Sequence, residues 1–218
     1  MTAPAEVVEL GPDDTEEIAE LIASVFADQI AITRWLVPDN DKLRTSLLRQ
    51  QFILLITGAF KSGGRVDGIR VDAKLDAAAV WSMHPGGEVT DPPGYDAKLR
   101  QITGDLYPRF RALDDVFQRT TPDSPHDHLD LLAARTRRQG HGTTLVTHHL
   151  RRVDQQPNGS LVTLHASSTQ AAWLYHRLDF ESDEPVQIPD SDEQFIYPMR
   201  RHPRGPMPRR SRRGVHIV

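Results

Sequence analysis

The sequence has no cysteine and no long hydrophobic run. Without Cys, the chain cannot form disulfides, thiolate zinc sites or a cysteine nucleophile. The most apolar stretch, residues 52–60, is too short to cross a bilayer and is interpreted as a buried helix end or a strand. The N-terminus also lacks a basic segment followed by an apolar run, so no signal peptide is predicted. These absences predict a cytoplasmic protein without a membrane segment.

Acidic residues are missing from one part of the chain. Residues 200–218 hold seven Arg and no Asp or Glu, so residues 1–199 carry a formal charge of −11, seven below the whole-chain value of −4. An acidic body favours cationic small molecules as ligands, so nucleic acid is not the expected partner. The Pro- and Arg-rich tail predicts disorder or loose docking, with an arm for nucleic acid or an acidic partner as the alternative. The predicted division is one domain over residues 1–200 and a tail over 201–218.

Hydrophobic periodicity predicts an α/β (α+β) fold. A first helix opens at residues 12–14 and presents a buried face from Ile18 to Phe26. Further helices are predicted over residues 40–56, 95–118, 143–153 and 169–178. Strands are predicted over residues 65–74 (exposed), 77–83, 129–134, 161–166 and 195–199, with another near Phe180. This order indicates a mixed sheet with helices on its faces. The oligomeric state is not encoded in a recognisable pattern, and a homodimer is one compatible assembly.

The segment over residues 129–146 is the strongest local signal. A buried strand runs through an Arg-rich turn and a pair of glycines directly into a helix. The first amides of a helix have no intrahelical acceptor, and the helix dipole is positive there, so this arrangement suits an anion. Leu145 stands where a dinucleotide-binding loop has its third glycine, and no Walker lysine follows. A plain strand-to-helix connector is the alternative.

Two motifs in this half of the chain resemble the GCN5-related N-acetyltransferases. That family has [Gln/Arg]-x-x-Gly-x-[Gly/Ala] after a strand, and Gln139, Gly142 and Thr144 occupy those positions. A second family segment ends Leu-Tyr-x-x-x-Gly-Phe, and residues 167–180 read SSTQAAWLYHRLDF. Thr144 and Asp179 depart from the family residues. More particularly, the chain looks like the puromycin N-acetyltransferase branch over residues 7–200.

The resemblance implies a fold and a cofactor site. The family fold has a mixed central sheet of about six to seven strands flanked by helices, and the cosubstrate is acetyl-coenzyme A. The implied contacts come from the strand before the turn, the turn itself and the cap of the next helix. The residues are Leu132, Ala133, Ala134, Gln139, Gly140, His141, Gly142, Thr143, Thr144 and Ser168.

The resemblance also implies catalytic roles. Tyr175 corresponds to the family's general acid, and its ordinary pKa keeps its proton available to a leaving thiolate. His128 and Asp130 alternate along the strand with Leu132 and Ala134, which places all four on one face, and either His128 or Asp130 is a candidate base. A water chain to a more distant carboxylate is the alternative. No metal is predicted, because the His pairs lack a third ligand at a suitable spacing.

The expected reaction is acetyl transfer to a primary amine of a small cationic molecule, such as an antibiotic or aminonucleoside. A protein or peptide amine is the alternative acceptor. A catalytically silent module that binds coenzyme A or nucleic acid is the alternative outside the enzymes.

Overall fold

The computed structural model describes residues 6–38, 40–87, 91–191 and 193–205. Within them, eight strands form a mixed sheet of order β1-β2-β3-β4-β5-β8-β6, with β7 pairing β8. The strands are β1 Val7–Leu10, β2 Arg65–Val71, β3 Lys74–His84, β4 His126–Ala134, β5 Leu161–Ala166, β6 Glu181–Ser182, β7 Val186–Gln187 and β8 Phe195–Arg201. The helices are α1 Thr15–Gln29, α2 Ala31–Leu36, α3 Asp41–Lys61, α4 Tyr95–Thr103, α5 Tyr107–Thr120, α6 His141–Gln155 and α7 Thr169–His176.

Each face of the sheet is covered by its own helices. On one face, apolar side chains of α1–α5, such as Ile22 and Phe110, pack with Val80 and Leu131 of the sheet. On the other, α6 and α7 pack with Leu129 and neighbouring strand residues. The predicted α/β class with helices on both faces is therefore confirmed. Among the described residues, no helix has the length and apolar character needed to cross a membrane.

Several predicted elements differ in extent. Residues 52–60 belong to the long helix α3, because their apolar side chains continue its buried face. The predicted helix over residues 95–118 is two helices, since the chain turns at Gly104, whose φ of +53° favours glycine. Strand β2 is largely buried rather than exposed, because β1 pairs along its outer edge and makes it an internal strand. The short elements β1 and α2 were not predicted from the sequence.

Strands β4 and β5 separate along their length. They pair in parallel from His126 opposite Leu161 to Leu129 opposite Leu164. Beyond that point β4 continues to Ala134 while β5 remains paired with β8. Residues 130–134 of β4 therefore pair with β3 on one side only, and their main chain faces a wedge-shaped opening on the other.

A β-bulge in β4 changes which side chains share a face. Trp81 of β3 lies opposite Leu129 and Val80 lies opposite Leu131, so Asp130 is the extra residue. After the bulge, Leu132 packs on the α6 side with Leu129 and Ala134, while Leu131 and Ala133 pack on the α1 side. The prediction that His128, Asp130, Leu132 and Ala134 share one face is wrong, because the extra residue reverses the alternation.

Candidate active site

A large cleft opens where β4 and β5 separate. Its volume is about 2060 Å³, and it runs from the N-terminus of α6 and the face of α7 to a far wall made by α2, α3, α4 and α5. The wedge itself is lined by residues 129–134 of β4 and 164–168 at the end of β5. The cleft thus joins a free strand edge, two helix N-termini and residues of helices α2–α5 in one space.

The N-terminus of α6 forms one side of this cleft. Gly140 precedes the helix with a φ of +77°, in the left-handed region that glycine adopts without a steric cost. The first intrahelical bond is donated by the Thr144 amide to the Gly140 carbonyl at 2.9 Å, so the amides of residues 141–143 have no intrahelical acceptor. A Cβ atom on Gly142 would meet only the side chain of Leu132, at 3.6 Å. The space above these amides is therefore open to a ligand.

Asp76 of β3 holds the turn that leads into α6. Its side chain accepts hydrogen bonds from the Thr136 hydroxyl at 2.7 Å and from His141 Nδ1 at 2.8 Å, and its main-chain carbonyl accepts one from the Arg135 amide at 2.8 Å. Burial by itself would raise the pKa of Asp76, but the hydrogen bonds from Thr136 and His141 outweigh burial and lower it. Asp76 stays ionised and is a fixed anchor for the turn. Sequence reasoning did not single it out.

Eight of the ten residues predicted to contact a cofactor line the cleft. They are Leu132, Ala133, Ala134, Gly140, His141, Gly142, Thr143 and Ser168. Gln139 and Thr144 lie outside its wall. Gln139 is exposed, and the Thr144 amide already donates to Gly140 within the helix. Arg137 and Arg138 also line the cleft and bring positive charge beside the α6 amides.

Tyr175 of α7 lines the cleft on the side opposite β4. The residue is 8% exposed, and its ring packs edge-on against Phe180 at 5.8 Å between centroids. Burial raises the pKa of its hydroxyl above the ordinary value, so the group is protonated at neutral pH. Within the described residues the hydroxyl has no hydrogen-bond partner, which leaves its proton available to a ligand in the cleft.

Asp130 projects into the wedge from the bulge in β4. The Ser82 hydroxyl, on the neighbouring strand β3, donates a hydrogen bond to its carboxylate. The walls of the cleft displace part of the water around the carboxylate and raise the pKa of Asp130 to about 7, although the hydrogen bond from Ser82 lowers it in part. The side chain remains accessible from the open cleft. A carboxylate with this pKa can accept a proton near neutral pH.

His128 is more deeply buried and belongs to a group of imidazoles. Its Nδ1 lies 2.8 Å from the Thr163 hydroxyl, and its ring centroid is 5.0 Å from His165 and 6.2 Å from His84. Burial and the neighbouring imidazoles hold the pKa of His128 well below its usual value, so the ring is neutral. Within the described residues no group of three or more His, Asp or Glu side chains has the geometry of a metal site.

The far end of the cleft holds polar residues that sequence reasoning missed. Gln51 of α3, Tyr95 of α4 and Asp114 of α5 line it together. The Gln51 amide donates to the Tyr95 hydroxyl at 3.1 Å, and that hydroxyl donates to Asp114 at 3.2 Å. Gln51 lies on the buried, largely apolar face of α3, one turn after Leu47, and the half-buried Asp114 lies one turn after Phe110 on α5. A polar residue on such a face is the signal that could have identified them.

Solved structures with a similar fold include several acetyltransferases and the C-terminal condensation domain of Ebony. A histone acetyltransferase HPA2 and related acetyltransferase from Corynebacterium glutamicum is 25% identical over 94% of this chain and 98% of its own, with a TM-score of 0.65. The polyamine N-acetyltransferase of Drosophila melanogaster is 14% identical over 90% and 98%, with a TM-score of 0.60. Naa50 of Arabidopsis thaliana, solved with a coenzyme A bisubstrate analogue, is 13% identical over 91% and 98%, with a TM-score of 0.50.

The sequence comparisons add no closer relationship. No protein-family model and no curated protein sequence matches the chain. The puromycin N-acetyltransferase branch suggested by the sequence is therefore not confirmed. The architecture, with its separated β4 and β5 strands, relates this chain to those acetyltransferases at the level of the superfamily. The chain has the fold of the GCN5-related N-acetyltransferases, and its likeness to these enzymes supports an acyltransferase.

Proposed function

We propose that this protein is an acetyl-coenzyme A-dependent N-acetyltransferase that acetylates a primary amine of a small cationic molecule. One observation carries the proposal: a single cleft joins the free edge of β4, the open amides of α6 and the unpartnered hydroxyl of Tyr175. These are the parts needed to hold an acyl thioester and to transfer protons at its reacting end.

The N-terminus of α6, formed by Gly140 and the amides of residues 141–143 and here called the cradle, suits the diphosphate of coenzyme A. The amides of residues 141–143 donate to phosphate oxygens, the dipole of α6 is positive there, and Arg137 and Arg138 add positive charge. The absence of a side chain on Gly142 lets the phosphates approach the backbone. The edge of residues 132–134 that faces away from β3 would lie alongside the pantetheine arm and orient the acyl carbonyl, as an added strand is held.

Three proton transfers complete the reaction. Acetyl-coenzyme A supplies the activated acetyl group. Asp130 takes a proton from the acceptor ammonium, directly or through water, so that the amine nitrogen can bond to the acetyl carbon. Tyr175 gives its proton to the sulfur as the carbon–sulfur bond breaks, and the second proton that the nitrogen loses on becoming an amide restores the Tyr175 hydroxyl, directly or through water. We assign the base to Asp130 rather than His128, because the pKa of Asp130 lies near 7 whereas that of His128 is held well below its usual value.

Two carboxylates of the cleft favour a cationic acceptor. Asp114 and Asp130 line it and make no salt bridge within the described residues, whereas Asp91 pairs with Arg111 and the cleft is also lined by Lys61 and Lys98. The main body of the chain is strongly acidic and attracts cations. The similar folds include enzymes described as acting on polyamines and agmatine, and one bound to a peptide-containing analogue. Those names leave a protein or peptide amine as the second candidate acceptor. Residues of helices α2–α5 line the cleft beyond the two strands, and we propose that they form a pocket for a small molecule.

Binding and turnover separate these possibilities. Calorimetric titration of the full chain with coenzyme A tests the cradle, and thiol release from acetyl-coenzyme A tests transfer to a panel of small amines, peptides and ammonium-free controls. We expect turnover with small amines. Turnover on peptides alone would favour the second acceptor class. Coenzyme A binding without turnover on any amine would indicate a silent binding module, and failure to bind would overturn the proposal.

A further inference from the structure

Asp114 lies in the far wall of the cleft with an incomplete set of partners. One of its carboxylate oxygens accepts the Tyr95 hydroxyl at 3.2 Å, and that hydroxyl is itself fixed by the Gln51 amide at 3.1 Å. Its other oxygen has no hydrogen-bond donor among the described residues, and the carboxylate makes no salt bridge with them. The side chain is therefore held in one orientation with an accepting oxygen left free at the cleft wall.

The neighbouring charges do not satisfy this carboxylate. Arg111 lies one turn earlier on α5, but its guanidinium donates to Asp91, Asp115 and Gln118. Loss of hydration raises the pKa of Asp114 to about 7, and the attraction of Arg111 opposes this only in part. A carboxylate in this position is stabilised by a bound cation, which restores the interactions that water no longer provides.

Three neighbouring rings line the same cleft as Asp114 and Asp130. Phe117 lies one helical turn after Asp114, and its ring centroid is 4.9 Å from His165. The His165 ring is 5.0 Å from His128, which lies two residues before Asp130 on β4. Burial lowers the pKa of His165 to about 4 and holds that of His128 well below its usual value, so these rings carry no positive charge near neutral pH. The cleft therefore contains both carboxylates together with apolar or neutral aromatic surface.

We propose that Asp114 binds a second cationic group of the acceptor, so that the substrate is a diamine or an amino-guanidine with its two cations joined by an apolar spacer. The inference rests on the proposed function, in which the first amine reacts beside Asp130. Asp114 sets specificity, and Tyr95 and Gln51 position it. The spacer packs against Phe117 and His165, and the second cation takes the free oxygen of Asp114.

Direct binding tests the subsite without requiring turnover. Alkane diamines of increasing length, each paired with the monoamine of the same length, are titrated calorimetrically into the full chain in the presence of coenzyme A. We expect one diamine length to bind at least about tenfold more tightly than its monoamine, the change associated with one charged hydrogen bond. Asp114→Asn should remove that difference, because it should weaken binding of the diamine more than binding of the monoamine.

Two further variants control for folding and orientation. Asp105→Asn changes an exposed carboxylate near the start of α5 that has no hydrogen bond within the described residues, and it should keep the full diamine preference. Tyr95→Phe keeps the charge of Asp114 but removes the hydroxyl that donates to it. This variant should retain part of the preference for the diamine over the monoamine. Equal affinity of the wild-type chain for every diamine and its monoamine would overturn the inference, as would equal weakening of both ligands by Asp114→Asn.

Acetyl transfer by the same samples separates this inference from the proposed function. Transfer to monoamines and diamines without a preference for either would leave the function standing and refute the subsite. Selective binding of a diamine without transfer to any amine would leave the subsite standing and refute the function.

Discussion

The Nδ1 atom of His141 lies 2.8 Å from a carboxylate oxygen of Asp76, so a strand residue is joined to the first residue of α6. Asp76 also accepts the Thr136 hydroxyl and the Arg135 amide, and it therefore holds both ends of the turn over residues 135–141. The position of the α6 amides depends on that turn. The first two predictions concern this turn and the helix N-terminus that follows it.

Replacement of Asp76 by Asn should weaken coenzyme A binding. The amide keeps the size of the side chain but cannot accept from both Thr136 and His141, so the turn loses one hydrogen bond and its fixed charge. We expect the Kd for coenzyme A, and the KM for acetyl-coenzyme A, to rise about tenfold, with kcat at saturation little changed. Asp72→Asn, in the exposed turn of the same hairpin, is the matched control. A loss confined to kcat would contradict the anchoring role.

Substitution of the two glycines of the cradle should affect different properties, namely the stability of the fold and the affinity for coenzyme A. Gly140→Ala places a side chain at a φ of +77° and should destabilise the fold by about 1–2 kcal/mol. Gly142→Ala meets only Leu132 at an ordinary contact distance, so stability should be unchanged. Its methyl group would instead stand where the diphosphate approaches, and coenzyme A affinity should fall. Thermal unfolding and calorimetry distinguish the two effects. Unchanged affinity in Gly142→Ala would place the ligand elsewhere.

Removal of the Tyr175 hydroxyl should impair the chemical step alone. That hydroxyl makes no hydrogen bond within the described residues, so Tyr175→Phe should fold normally and bind coenzyme A with unchanged affinity. Loss of a general acid lowers kcat by about 10²–10⁴-fold. Tyr197→Phe, on β8 and outside the cleft, is the control and should retain full activity. Normal turnover by Tyr175→Phe would exclude the acid role.

The rate should rise with pH through the titration of Asp130. A general base acts in its deprotonated form, and the pKa of Asp130 is raised to about 7, so kcat/KM should increase as the pH passes from below to above that value. Ser82→Ala removes the hydrogen bond that lowers this pKa and should move the midpoint to higher pH. Asp130→Asn should abolish this limb of the profile. A profile that is the same in all three proteins would show that another group is the base.

Arg201 should contribute to folding although it is the first residue of the predicted tail. It ends β8, is 4% exposed, and donates to both carboxylate oxygens of Asp154 at 3.0 and 2.7 Å. Arg201→Ala leaves the partly buried Asp154 without this partner, and we expect a loss of about 2 kcal/mol in the free energy of unfolding by denaturant. Arg200→Ala breaks an exposed pair with Asp183 and should have little effect. The rest of the predicted tail, from residue 206, lies outside the described residues.

The sequence was informative wherever local chemistry decides the outcome. Helix periodicity located α1 and α6, and the glycines of residues 140 and 142 marked the helix N-terminus, because only local backbone conformation and the unpaired amides are involved. The segment around Tyr175 was recognisable for the same reason, since its residues are neighbours in one helix and its exit. These local features were enough to predict the fold class. The cofactor cradle and the acid role of Tyr175 remain predictions.

Tertiary structure decided what depends on residues distant in the chain. The bulge that moves Asp130 out of alternation exists only through the pairing of β4 with β3. Asp76 meets His141, and Asp114 meets Tyr95 and Gln51, only because separate elements pack together. The pKa of Asp130 is raised by loss of hydration, which depends on the surrounding protein rather than on its sequence neighbours. The sequence by itself determined most of the helices and strands that build the cleft, and the turn before α6, whereas packing determined which charges face the cleft.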